Sequence, residues 1–247
     1  MRLNKYIAQA GLASRREADE LTKEGKVTIN GAVMKEPGYD VQEGDLVRVN
    51  GKLVSAPEKL CYYALNKPEG YITSTRDDRG RPTVLSLMTD VNARVFPVGR
   101  LDYDTSGLLI MTNDGALSER VAHPKGEVKK TYLARMNGPV SRDQLRQLQN
   151  GVMIDIPAYG KGSEKGTRKY KTKPAEVSIV YDKTREYVLQ ITISEGKNRQ
   201  IRKMAEAVGL KVLALERISI GSVRLGRTKP GTYRKLTPEE IEYLRNC

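Results

Sequence analysis

Three observations predict an α+β fold for this chain of 247 residues. Beyond residue 61, strand candidates follow one another with few intervening helices, unlike the strict alternation of a doubly wound sheet. Several helix candidates among them open on explicit capping signals. The first 56 residues carry a pattern of their own, two short helices and a tight hairpin, set off by Pro57-Glu58-Lys59 at the head of a linker over 57–60. The length accommodates such a small module and a larger domain over 61–247, with ample chain for a proper core.

In the small module, Leu3, Ile7 and Ala10 recur at helical spacing and stop at Gly11. A second helix opens at Ser14-Arg15-Arg16-Glu17, where the serine hydroxyl and the glutamate satisfy free amides reciprocally. Ala18 and Leu21 lie on one side of it, and Gly25 ends it. Residues 27–29 and 32–34 flank Asn30-Gly31, the strongest short hairpin signal. A further strand over 46–49 runs to another Asn-Gly pair.

In the larger domain, strands are predicted at 62–65, 108–112, 131–136, 175–181 and 187–193, and helices at 116–122, 142–148, 199–208 and 238–244. Capping boxes open the second and fourth helices, at Ser141-Arg142-Asp143-Gln144 and Thr237-Pro238-Glu239-Glu240, the latter with proline at the favoured first position. Between Ala158 and Pro174, six basic residues against one acidic, interspersed with glycine, predict a long mobile hairpin loop. Lys169 and Lys171 are expected there to meet phosphates, and Tyr159 and Tyr170 to stack on unpaired bases.

Charge narrows the partners. With 43 Lys and Arg against 30 Asp and Glu, the net charge of +13 points to a polyanion: RNA, DNA or an acidic membrane surface. Residues 1–56 hold nine basic and eight acidic groups, so nearly the whole excess belongs to the larger domain. Binding by the small module therefore requires a polarised surface, with Arg15, Arg16 and Lys26 gathered on one side. No apolar stretch approaches the roughly 20 residues that span a bilayer, and the start lacks a signal-peptide core, so a cytoplasmic protein is expected. Cys61 and Cys247 have no metal-ligand spacing, and a single histidine, His123, read as a cap or surface residue, rules out histidine-rich metal sites. Neither a P-loop nor a dinucleotide fingerprint is present. Nothing suggests a coiled coil, and a monomer is expected.

The most informative stretch spans residues 98–112, where Asp102 and Asp104 stand in a polar loop framed by Gly99 and Gly107. The apolar run that follows reads as a buried strand, pinning the loop to the core, and loops fixed in this way carry chemistry. An Asp-rich turn between strands is the plainer alternative. The block Gly99-Arg100-Leu101-Asp102-Tyr103-Asp104-Thr105-Ser106-Gly107-Leu108-Leu109 resembles the signature loop of the RsuA/RluB group of ribosomal RNA pseudouridine synthases. The resemblance extends, in the family's order, to Lys67-Pro68-Glu69-Gly70, to Lys130-Thr131-Tyr132 and to Glu195-Gly196-Lys197-Asn198-Arg199-Gln200-Ile201-Arg202-Lys203-Met204. The N-terminal segment is similar to the ribosomal-protein-type RNA-binding module that heads many members.

The resemblance implies a mixed, mainly antiparallel sheet crossed by a catalytic cleft. It implies that Asp102 is the nucleophile that isomerises a uridine to pseudouridine, at ribose carbon 1′ or at carbon 6 of the base, without redox, metal or nucleotide cofactor. Tyr132 matches the tyrosine that stacks on the flipped base, and strand alternation puts it on the face of Ala134 and Met136. Arg202 matches the arginine that pairs with the aspartate; helical geometry sets it at the margin of the stripe Ile201, Met204, Ala205 and Val208. Arg199 and Lys203 point outward and suit phosphates, joined by Asn198, Gln200 and Arg100. Asp104 and Thr105 are expected to shape the turn. The implied partner is ribosomal RNA, and the wording of the loops leans toward a large-subunit precursor or assembly intermediate.

Two other readings stand beside this one. Asp102-Tyr103-Asp104-Thr105 satisfies the nucleophile motif of haloacid-dehalogenase-type phosphatases, which bind Mg²⁺. That motif normally ends an apolar strand, whereas Gly99-Arg100-Leu101 precedes it here and no acidic pair follows in a suitable loop. A non-catalytic ribosome-assembly protein using the same basic surfaces is the second.

Overall fold

The computed structural model describes residues 1–54, 58–122, 126–158, 166–181 and 187–247. The expectations for Pro57, His123 and Tyr159 lie outside the described residues. The chain divides into two compact units, Met1–Cys61 with Val91–Arg94, and Tyr62–Asp90 with Val95–Cys247. Among the described residues no helix is long and apolar enough to cross a membrane.

In the first unit, α1 (Leu3–Gln9) buries Leu3 and Ile7. α2 (Arg15–Lys23) opens on its capping box: Glu17 N donates to Ser14 Oγ at 3.2 Å and Ser14 N to Glu17 Oε2 at 2.7 Å. β1 (Val27–Ile29) and β2 (Ala32–Met34) are joined by Asn30 and Gly31 at φ 53° and 86°, the paired positive angles of the tightest hairpin turn. β3 (Val47–Val49) and β4 (Lys52–Leu53) complete an antiparallel sheet ordered β2-β1-β3-β4. Its buried valines and Ile29 meet Leu3, Ile7 and Ala18 in one core. The short segment Val91–Arg94 falls in this unit, where Arg94 Nη2 donates to Glu17 Oε2 at 2.9 Å.

The second unit begins with β5 (Tyr62–Lys67), a turn of 3₁₀ helix at Val84–Leu87, β6 (Phe96–Val98) and β7 (Ser106–Thr112). α3 (Gly115–Ala122), β8 (Lys130–Met136), α4 (Arg142–Asn150) and the pair β9 (Met153–Ala158) and β10 (Gly166–Lys171) follow. β11 (Glu176–Tyr181), β12 (Tyr187–Ile193) and α5 (Gln200–Ala207) lead to β13 (Val212–Ile220), β14 (Val223–Arg224), β15 (Tyr233–Lys235) and α6 (Pro238–Arg245). The main sheet runs β11-β12-β8-β13-β7-β5-β15, with β6 beside β7 and β14 beside β13. Its described ladders are antiparallel except β7 with β13. The α+β class and the mainly antiparallel sheet are as expected.

β7 is central, buried from Gly107 to Thr112. Gly107 has φ 103°, and a Cβ there would stand 2.3 Å from the Arg217 carbonyl oxygen, so only glycine lets β7 and β13 approach in parallel. Two expectations need correction. Residues 166–171 form an ordered strand rather than loop, because β10 pairs along its length with β9, whose Ile154 and Ile156 are buried. The nine-residue β13 was not foreseen, because Arg217 and Ser219 are buried polar groups that break its apolar alternation.

Candidate active site

The loop between β6 and β7 is fastened from below by the segment that follows β5. Lys67 is fully buried at the end of that strand, and its Nζ donates to the carbonyls of Pro68, Asp102 and Thr105 at 3.1, 3.0 and 2.7 Å. Burial pushes this amine down to about 8, against the opposing pull of Glu69, Asp102 and Asp104. Thr73 Oγ1 donates to the Leu101 carbonyl at 2.7 Å and accepts from Leu101 N at 3.2 Å. Gly70 N donates to the Tyr103 carbonyl at 2.9 Å, and Thr105 N closes a turn on the Asp102 carbonyl at 3.1 Å. Leu101 plugs the core, and Asp102 is left half-buried.

Asp102 faces a cleft of about 460 Å³ whose lining includes Tyr132, Lys130, Arg217, Glu195 and Asn198. Tyr132 sits on β8 with Ala134 and Met136 on the same buried face, as alternation requires. Arg217 on β13 stands opposite it in register, the guanidinium carbon 6.0 Å from the ring centre. Larger hollows exist elsewhere in this unit. One of about 920 Å³ is lined by Glu127, Glu176, Glu239 and Glu242 against Lys129 and Arg224, a net negative lining that disfavours a polyanion. Chemistry rather than size therefore selects the cleft at Asp102.

The far wall is the turn before α5. Glu195 is buried and accepts from Tyr170 Oη at 2.6 Å, Lys173 N at 3.0 Å and Gln200 Nε2 at 2.7 Å. Gln200 also accepts from Lys197 N at 2.9 Å, so this buried amide ties the turn together and is not available as an RNA contact. Tyr170 likewise belongs to the fold: its hydroxyl is bound to Glu195, which pushes the phenol up to about 12, and Lys197 covers its ring at 4.7 Å.

Arg202 does not pair with Asp102. Its Nη2 donates to the Asp104 carbonyl at 2.5 Å and lies 3.4 Å from Asp104 Oδ2, while Nη1 donates to the Val212 carbonyl at 3.1 Å. Arg199 caps α5 in the left-handed region at φ 51° instead of starting the helix, which swings its guanidinium onto both oxygens of Asp104 at 2.9 and 2.8 Å. The Arg199 hydrogen bonds, ahead of the Arg202 charge, hold the Asp104 carboxyl below its ordinary range. Asp104 thus locks the aspartate loop to α5, a role beyond shaping a turn.

Of the other expected contacts, Arg100 and Asn198 are exposed at the cleft mouth. Lys203 is half-buried, with Nζ 3.3 Å from Asn198 Oδ1. Arg15 and Arg16 are exposed on α2 of the first unit, but Lys26 is engaged by Glu24 at 2.7 Å. Lys171 is exposed on β10, and Lys169 pairs with Asp155 at 3.0 Å. Spacing does not mark Lys67, Lys130 or Arg217 as site residues. The first two stand inside Lys67-Pro68-Glu69-Gly70 and Lys130-Thr131-Tyr132, but only burial distinguishes them from surface cations.

A carboxylate on a fastened loop, beside a cleft lined by cations and one tyrosine, is the arrangement of a carboxylate-centred enzyme. Residues 61–207 match the family described as RNA pseudouridylate synthase, and residues 1–47 match the S4 domain. The chain is 43% identical to "Ribosomal large subunit pseudouridine synthase B" of Bacillus subtilis (strain 168), covering 99% of this chain and 95% of that one. It is 40% identical to an uncharacterized RNA pseudouridine synthase of Aquifex aeolicus (strain VF5), over 99% and 93%. A solved pseudouridylate synthase superposes with a TM-score of 0.67 at 33% identity, over 99% of each chain. The chain belongs to the RNA pseudouridylate synthase family, whose members are isomerases.

Proposed function

We propose that this protein converts a specific uridine of large-subunit ribosomal RNA to pseudouridine, with Asp102 as nucleophile. The observation that carries the reading is the fastening of Asp102: buried Lys67 donates to the Asp102 and Thr105 carbonyls, and Thr73 bonds both backbone groups of Leu101, which holds the loop at the cleft containing Tyr132. A nucleophile so held meets its target at little entropic cost. The relative named for the large subunit supports the choice of RNA.

In this reading the target uridine leaves its stack, at a cost of a few kcal/mol, and enters the cleft with its base against Tyr132. The Asp102 carboxylate attacks ribose carbon 1′ or adds to carbon 6 of the base. The freed base turns within the cleft, and its carbon 5 bonds to carbon 1′. The product is an isomer of the substrate. Asp104, Arg199 and Arg202 position the loop and do not touch the reacting atoms. Residues 1–56 serve as the RNA-recognition module and 61–247 as the catalytic domain, with exposed Arg15, Arg16, Arg100, Asn198 and Lys171 as backbone contacts.

Release of tritium from RNA labelled at carbon 5 of uridine tests this directly. Asp102→Asn is expected to abolish release while RNA affinity stays within about threefold of wild type, since backbone contacts dominate affinity. Undiminished release from Asp102→Asn overturns Asp102 as the nucleophile, and no release from the wild-type chain on ribosomal RNA favours an RNA-coating protein.

A further inference from the structure

Arg217 is a cleft residue to which the proposed reaction gives no role. Only 2% of it is exposed, and its Nε donates to the Leu108 carbonyl at 2.7 Å. Nη1 lies 3.5 Å from the Tyr132 hydroxyl, at the outer limit of a hydrogen bond. Nη2 is buried and has no hydrogen-bond partner among the described residues. Nearby Lys130, also lining the cleft, donates among the described residues only to the Val128 carbonyl, at 3.1 Å. Burial first, and the Arg217 charge second, push its amine below the ordinary lysine range.

A guanidinium in this state is costly, because a buried cation is normally paired and fully hydrogen-bonded. The missing acceptor belongs to whatever fills the cleft. Two parts of a flipped nucleotide carry suitable oxygens, the phosphodiester and the base. A phosphodiester would keep its hydration at the exposed rim, where Arg100 and Asn198 stand. The base is the part that can be desolvated against Tyr132, beside which Arg217 stands.

We propose that Arg217 is a further catalytic residue, whose free Nη2 donates to a carbonyl oxygen of the uracil ring and holds the negative charge that gathers there as the glycosidic bond breaks. The inference rests on the synthase reading. When an Asp102 oxygen bonds to carbon 1′, the bond from carbon 1′ to N1 breaks and its electron pair leaves with the base. That charge spreads onto O2 and O4, where a preorganised donor in a water-poor site stabilises it most. Carbon 5 of the turned base then attacks carbon 1′, and the carboxylate is released. The hydrogen on carbon 5 departs as a proton, and N1 takes one up. Addition of Asp102 to carbon 6 would also place charge on O4, so the assignment holds on either route.

The test is single-turnover consumption of the target nucleoside in a ribosomal RNA fragment that the wild-type chain modifies, carrying uridine or 5-fluorouridine. Fluorine withdraws electron density, so the base leaves as an anion with less help. Arg217→Gln is expected to slow consumption of uridine about 100-fold but that of 5-fluorouridine only about tenfold. Equal losses on the two RNAs overturn the proposal, being the mark of a residue that only supports the fold. Should Arg217→Gln not fold, Arg217→Lys carries the same test: a smaller loss, again larger on uridine, supports the role, and equal losses overturn it. Asp102→Asn separates the two layers. If that variant still consumes uridine, the proposed role of Asp102 as nucleophile falls; if it is inert while Arg217 variants lose equally on both RNAs, only the role of Arg217 falls.

Discussion

Lys67 shows how one buried side chain can set the behaviour of a site. As an ammonium it has three N–H groups for three carbonyls; as a neutral amine it has two. With its amine near 8, kcat/KM should fall as pH rises through about 8, when two N–H groups are left for three carbonyls, two of them in the Asp102 loop. Stability moves the other way. The folded pKa lies below the ordinary 10.5, so between about 8 and 10.5 the unfolded chain retains a proton that the folded chain has released. This group's contribution to stability therefore rises with pH across that window and is least favourable below it. A pH profile of kcat/KM measured beside the thermal midpoint separates the two effects, and a profile flat to pH 10 contradicts this role for Lys67. Lys67→Met should remove the alkaline limb and lower kcat by up to about 100-fold, as expected for a misplaced nucleophile. None of this is legible in the sequence. A lysine at a strand end reads as a solvated charge, and only the pairing of β5 with β7 encloses it. Asp102 and Tyr132 were legible as candidates from their motifs, whereas the pairing of Arg199 with Asp104 depends on a left-handed residue at Arg199 that spacing cannot reveal.

Elements defined by local chemistry were the readable ones. The two Asn-Gly turns and the boxes at Ser14, Ser141 and Thr237 bring their own hydrogen-bond partners within three residues, so tertiary context has little to add. β10 and β13 are the reverse case. Charged residues along β10 and buried polar residues in β13 take their meaning from the neighbouring strand, β9 for one and β7 and β8 for the other. The contact between β7 and β13 gives an element-level prediction. Gly107→Ala would force a Cβ into the Arg217 backbone at a positive φ, a combination of overpacking and backbone strain worth about 3 kcal/mol or more. Urea denaturation should show a lower midpoint, with the extrapolated free energy of unfolding reduced by that amount. A change under about 0.5 kcal/mol, the level of an inconsequential surface substitution, would mean the strands part without penalty.

At the scale of the whole molecule, charge and family agree. Nearly all of the +13 excess lies beyond residue 56, so RNA affinity should be strongly salt-dependent and carried mainly by the larger domain. With roughly six phosphate contacts to single-stranded RNA, log affinity against log salt should fall with a slope of roughly −4. A slope near zero, read by filter binding, would contradict an electrostatic interface. Composition announced the polyanion and motif order announced the family, but neither reaches the identity of the uridine, which depends on RNA shape. The most direct test of the central role of Asp102 is a map of pseudouridine in large-subunit ribosomal RNA from cells lacking this gene and complemented with either form of it. A site missing in the deletion, restored by wild type and still missing with Asp102→Asn is the predicted result; restoration by Asp102→Asn would contradict it.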